Sequence, residues 1–143
     1  MALVMSGERS SGVAVRRPKR RSPEFHLTKA VALFLRYAWP ADLPWSHFPA
    51  GEERDERTGA KLKIMGLQPG WPDFVIVLPS GRLGGLELKS EGGRQSSDQK
   101  AFQQALTAAG GRYAVCRSLA DVEETADEWL ARTGYQLRAR CSA

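Results

Sequence analysis

The chain has 143 residues, 42% of them hydrophobic and 8% aromatic, which suits one compact domain with a sizeable core. No apolar run approaches the ~18 residues of a membrane span, and the opening "MALVMSGERSSG" has its charges on the wrong side for a secretory signal. Cys116 and Cys141 form no paired-cysteine or zinc spacing, so the expectation is a cytoplasmic protein with no membrane partner and no disulfide framework.

The formal charge of +5 is unevenly spread. Residues 1–22 carry Arg9, Arg16, Arg17, Lys19, Arg20 and Arg21 against Glu8 alone, and the remainder of the chain is electrically neutral. This composition predicts a basic disordered tail over residues 1–21. Read functionally, it is a phosphate-seeking arm whose Arg16, Arg17, Lys19, Arg20 and Arg21 bind DNA. A solubilising tail and a nuclear-import signal are the other readings of the same run.

Ser22-Pro23 reads as an N-cap followed by proline at the first helical position. Leu27, Ala30, Val31 and Phe34 then keep helical spacing to about Ala38, and Pro40 closes the element. A short strand is expected around Trp45 to Phe48. The charged stretch "EERDERTGAKLKIMG" reads as a helix weakened by Gly59. Asp73 to Leu78 and Gly84 to Lys89 read as strands joined by the turn Pro79-Ser80-Gly81-Arg82. Phe102, Ala105, Leu106 and Ala109 mark an amphipathic helix ended by Gly110-Gly111. Tyr113 to Cys116 follows as a strand, and a last helix capped by Ser118 carries Leu119, Val122, Ala126, Trp129 and Leu130. The order predicts an α/β fold with a mixed sheet flanked by helices.

The central hairpin raises a question of charge. Closed symmetrically about Ser80, it sets Asp73 opposite Glu87 with Cβ atoms ~5 Å apart, where two like charges repel. Lys89 shares the face of Glu87, and Leu88 points away. A divalent ion bridging the two carboxylates removes the repulsion, and oxygen ligands favour Mg²⁺ or Mn²⁺ over zinc. A bulge at Gly84-Gly85 would instead shift Glu87 to the other face. An edge hairpin with ordinary solvated charges is the plainer alternative. The unbroken run Phe74-Val75-Ile76-Val77-Leu78, as in a strand covered on both sides, argues for a site.

The Pro72-Asp73 step followed by Glu87-Leu88-Lys89 resembles the PD-(D/E)xK nuclease signature. The wider set "HFPAGEER", "LKIMGLQPGWPDF", "LELKSEGGRQSSDQKAF" and "ALTAAGGRYAVCRSLADVEE" resembles the VRR-NUC domain, in its stand-alone, phage-type form. "PAGEE" stands where that family often shows Pro-Asn-Gly. The resemblance covers about Pro23 to Leu130 and implies a restriction-endonuclease-like fold, with residues 22–132 as the nuclease domain and 133–143 as a C-terminal tail. It implies Asp73 and Glu87 as metal ligands for Mg²⁺ or Mn²⁺, with the Leu88 carbonyl as a third. Lys89 would activate water and neutralise phosphate, and Glu24 would complete the acidic cluster.

Several of these residues also fit plainer roles. Glu24 shares a helical face with Leu27, Val31 and Phe34, and it also suits the first turn of a helix through the macrodipole. Gln99 matches the family's glutamine and equally completes a capping box with Ser96. Arg54, Lys61 and Lys63 fit either phosphate contacts or a solvated helix face. His47 matches a family histidine or serves structure, His26 and Trp71 read as packing or rim residues, and Cys116 as a core thiol.

The function expected is a metal-dependent DNA endonuclease, selective for branched DNA such as four-way junctions and acting as a homodimer. Trp39, Trp45 and Trp129 are more tryptophans than a small core always hides, and any left exposed suits that interface. A non-catalytic DNA-binding module of the same fold, and a general nuclease without junction preference, are the alternatives.

Overall fold

A computed structural model of the chain describes residues 22–49 and 55–141. The basic segment 1–21 and Arg54 lie outside the described residues.

Helix α1 (Pro23–Ala38) starts where the Ser22 hydroxyl accepts from the Phe25 N–H, with Pro23 in the first turn. It buries Val31, Phe34, Leu35 and Ala38. Strand β1 (Trp45–His47) follows, then α2 (Glu56–Ile64), capped by Asp55 and without a buried residue. Strands β2 (Phe74–Val77) and β3 (Leu83–Leu88) flank a single 3₁₀ turn, Pro79–Gly81. Helix α3 (Ser97–Ala108), strand β4 (Arg112–Cys116) and helix α4 (Leu119–Leu130) complete the order. Among the described residues the sheet runs β1-β2-β3-β4, antiparallel except for the parallel β3–β4 pair. This is the mixed α/β sheet flanked by helices that the sequence predicts.

The register of the hairpin is the symmetric one. Phe74 faces Leu86 and Val77 faces Leu83, with no slip between them. Gly84 and Gly85 lie in regular pairing rather than in a bulge, and close packing explains them. A Cβ on Gly84 would meet the Trp129 ring at 2.7 Å, and one on Gly85 would meet Pro72 Cγ at 2.9 Å. The turn carries Ser80 at φ 76 and Gly81 at φ 79, the left-handed region that tight turns use.

The two faces of the sheet are covered unequally, which corrects the expectation of a strand buried on both sides. Phe74, Ile76, Leu86 and Leu88 join Val31, Leu35, Val122 and Trp129 in the main core under α1 and α4. The opposite side of β2 is only half-buried, because Val75 and Val77 alternate with the buried positions. Helix α3 packs on that second side.

Two further corrections concern the ends of the core. Trp39 and Trp129 are buried and Trp45 is half-buried against the core, so the tryptophans do not furnish an exposed interface. Residues 133–141, expected as a tail, fold back onto the domain. Tyr135, Leu137 and Cys141 pack on the core, and Arg138 bonds the Arg36, Ala38 and Trp39 carbonyls at the end of α1. A helix C-terminus exposes unsatisfied carbonyls and the negative end of its dipole, so a guanidinium is well placed there.

Candidate active site

The hairpin brings Asp73 and Glu87 together just past the last paired residues of β2. Phe74 pairs with Leu86, and continuing the ladder by one step sets Asp73 across from Glu87. The Leu88 N–H donates to Asp73 Oδ2 at 2.7 Å, which locks the aspartate against β3. Glu87 is buried at 3% exposure.

The two oxygens of Glu87 have different fates. Oε1 accepts from Gln99 Nε2 at 2.8 Å and has Lys89 Nζ at 3.5 Å. Oε2 is buried with no hydrogen-bond partner. A carboxylate oxygen in that condition is costly unless a cation or proton meets it. Burial and the Asp73 charge push the Glu87 carboxyl up to about 8 against the partial relief from Lys89. Burial likewise raises Asp73, opposed by the Leu88 N–H. Two acids at one site cannot both ionise cheaply without added positive charge.

That electrostatic frustration is the condition a divalent cation relieves, so the pair fits one. Asp73 and Glu87 would hold it, with Leu88 as the backbone candidate. Among the described residues no three His, Cys, Asp or Glu side chains gather as a metal-holding group. Glu24 therefore stands apart from the pair. It lines the same cleft and its Oε1 accepts from the Ser90 N–H at 3.4 Å, tying the first turn of α1 to the segment after Lys89.

Gln99 completes the capping box and also reaches the acidic pair. Its side-chain oxygen accepts from the Ser96 N–H at 2.8 Å, completing the capping box, while its amide nitrogen reaches Glu87. His47 Nδ1 lies 2.7 Å from the Asp73 carbonyl oxygen, and its ring rests against Phe74. Trp71 packs between Phe48 and Phe102 with tilted rings whose centroids lie 5.1 and 4.8 Å away, a packing role as expected. Cys116 is a buried thiol whose ionisation burial pushes up. His26, by contrast, is exposed at the start of α1, with its ring edge-on to Phe25.

Asp73, Glu87, Leu88, Lys89 and Gln99 form the floor of a cleft of ≈ 610 Å³ whose walls come from α1 and from His47, Phe48 and Pro49. Lys61 and Lys63 are exposed on α2 and do not line it. Phe25, Thr28, Lys29 and Ala32 of α1 do line it. These four are not among the residues the sequence predicts for the site. They were legible as a second stripe at helical spacing, beside the core stripe of Leu27, Val31 and Phe34.

No curated protein and no solved structure matches the chain. The family model of the VRR-NUC domain matches residues 46–120, from the first strand into the last helix. Asp73, Glu87, Lys89 and Gln99 fall inside that span, and Glu24 and the α1 wall lie outside it. With more than half of its length matched, and with the hairpin, its acidic pair and its lysine arranged as above, the chain belongs to the VRR-NUC domain family.

Proposed function

We propose that this protein is a divalent-metal-dependent endodeoxyribonuclease that hydrolyses phosphodiester bonds at the Asp73–Glu87 pair. Family membership gives the coarser statement directly: the chain carries a nuclease domain of the PD-(D/E)xK type, a class that acts on nucleic acid and generally uses divalent metals. The observation that carries the finer reading is Glu87 Oε2, buried and without a partner beside a second carboxylate.

Asp73 and Glu87 would hold Mg²⁺ or Mn²⁺, and such an ion, when bound, supplies positive charge to the phosphate and acidifies water. Lys89 stands beside Glu87 with its side chain 14% exposed, able to orient the attacking water and to meet the charge growing on the phosphate. Gln99 fixes the rotamer of Glu87 by holding one of its two oxygens. Glu24 anchors the chain beyond Lys89 through Ser90. The basic segment 1–21 adds non-specific affinity for the DNA backbone.

The reading extends to branched DNA cut by a homodimer. Leu33 and Tyr37, 53% and 64% exposed on α1, offer apolar surface for a second copy. No helix among the described residues is long and apolar enough to cross a membrane.

One experiment tests the chemistry. Purified protein is incubated with linear, flap and four-way DNA in Mg²⁺, Mn²⁺ or EDTA, beside a Glu87→Ala protein purified identically. Cleavage with either metal, none in EDTA and none by the variant is the expected pattern. Undiminished cleavage by Glu87→Ala removes the site assignment. Light scattering of the free protein reads its assembly, and a monomer that cuts linear duplex as readily as junctions removes the branched-DNA reading.

A further inference from the structure

We propose that the cleft above the acidic pair seats one unpaired nucleobase next to the phosphate to be cut, which makes the substrate class DNA with an unpaired nucleotide at the cleavage point. The inference rests on the nuclease reading for the chemistry at the floor, and it adds what the walls recognise.

The walls do not look like a surface for duplex backbone. A groove that tracks phosphates is lined by cations and amide donors. Here Lys29 and Lys89 are the ammonium groups among the lining residues. Beyond Ser22 and Glu24 at its start, the α1 wall presents Phe25, Thr28 and Ala32, on one face by their three- and four-residue spacing. The facing wall carries His47 and Phe48. A ring, a methyl and a hydroxyl on one side and two rings on the other suit a flat, largely apolar body with a few polar edges.

That facing wall is also braced. Phe48 packs against Trp71 and Trp71 against Phe102 with their planes tilted by 31° and 47°, and Phe102 lies 6.2 Å from Tyr113, so a row of rings runs behind it across α3 to β4. His47 is fixed by the Asp73 carbonyl and by Phe74. Phe25, 41% exposed, stands at the rim of the other wall. Aromatic faces held in place are what base stacking requires, because little side-chain freedom is then lost on binding.

A paired base cannot use such a seat. Within a duplex its faces are covered by neighbouring pairs and only its edges reach the grooves. Its face becomes available when the nucleotide is unpaired and turned out of the stack. The cleft volume falls within the range of pockets that enclose small ligands, a size that one base with its sugar matches. Continuity with the floor places the next phosphate at Asp73, Glu87 and Lys89.

The test uses the full-length protein with Ca²⁺ in place of Mg²⁺, and duplex oligonucleotides that carry one bulged 2-aminopurine, the same bulge as an abasic site, or full pairing. The base-bearing bulge should bind about tenfold more tightly than the paired duplex, as one base–aromatic stack supplies. The abasic bulge should lose that gain, and 2-aminopurine fluorescence should be quenched on binding. Phe25→Ala should shrink the gain and Phe25→Trp should keep it. Equal affinity for all three DNAs, without quenching, overturns the proposal whatever the variants do. Cleavage of the same oligonucleotides in Mg²⁺ or Mn²⁺ is read separately. Preference for the base-bearing bulge without cleavage removes the nuclease reading and supports the seat, whereas cleavage without preference removes the seat and keeps the nuclease.

Discussion

Gln99 joins the start of α3 to Glu87: its side-chain oxygen accepts from the Ser96 N–H and its amide nitrogen donates to Glu87 Oε1, each at 2.8 Å. One side chain thus caps a helix and orients a buried carboxylate, and the two roles separate by substitution. Gln99→Ala should lose both, lowering stability by about 1 kcal/mol through the cap and cleavage by about 10–100-fold through the loosened Glu87. Gln99→Glu keeps an acceptor for Ser96 but adds a third carboxyl group to the site of Asp73 and Glu87. Its melting temperature should fall in EDTA and recover in Mg²⁺, whereas the alanine variant stays lower in both. Thermal melts with and without metal check this.

The raised Glu87 carboxyl predicts how metal-free stability varies with pH. Its value is pushed to about 8 from an ordinary 4.5, so between the two the folded protein holds a proton that the unfolded chain has released. Stability should therefore be greatest near the lower limit and fall as pH rises through the window. Glu87→Gln, neutral throughout, should flatten that fall. Melting temperatures in EDTA across the window decide it, and an unchanged slope in the variant assigns the titration to another group.

Metal binding and chemistry should come apart among the three signature residues. Mg²⁺ at a hundredfold above its Kd should stabilise the folded protein by about 2.7 kcal/mol. Asp73→Ala and Glu87→Ala should lose most of that shift along with cleavage, and both should be at least as stable as the parent in EDTA above about pH 8, where Glu87 ionises beside Asp73. Lys89→Ala should keep the metal-induced shift yet cut about a hundredfold more slowly, as loss of a group that meets transition-state charge does. Calorimetric melts paired with single-turnover cleavage provide both readouts.

Removing residues 1–21 should weaken DNA binding and flatten its salt dependence. Each phosphate neutralised contributes about 0.9 to the slope of log K against log salt. Single-turnover rates at saturating DNA should change little, since none of the proposed site residues lies in that segment. Equal affinity and slope in the truncated protein would make the arm incidental.

Arg138 should matter to the fold although it is remote from the cleft. Its guanidinium bonds the Arg36 and Trp39 carbonyls at 2.9 and 2.8 Å, closing the end of α1. Arg138→Ala should lower stability by about 1 kcal/mol, and Arg138→Lys should recover only part, because an ammonium lacks the planar fork. Urea unfolding measures the loss, with cleavage at permissive temperature unaffected.

Local chemistry determined much of this protein. Ser22-Pro23, Ser96 with Gln99, and Ser118 place the starts of three helices through hydrogen bonds that reach three residues along the chain. The hairpin register follows from strand length and the turn at Ser80, and with it comes the juxtaposition of Asp73 and Glu87. A hairpin is a short-range object, so its geometry can be read before the rest of the fold is known.

Contacts between distant elements decided what the sequence could not. Gly84 and Gly85 pair regularly with the Trp129 ring and Pro72 packed close against them, and those contacts depend on how α4 and the approach to β2 settle on the sheet. The burial of Trp39 and Trp129, and the return of Arg138 to α1, likewise depend on packing among segments far apart in the chain. The cleft wall of Phe25, Thr28, Lys29 and Ala32 was written in helical spacing, but spacing alone does not say which stripe faces solvent, core or site. Glu24 could be aligned with the acidic pair by its helical face, yet its bond to Ser90 shows how far α1 reaches over the end of β3. Sequence periodicity fixes angles around one element, whereas distances between elements come only from their packing.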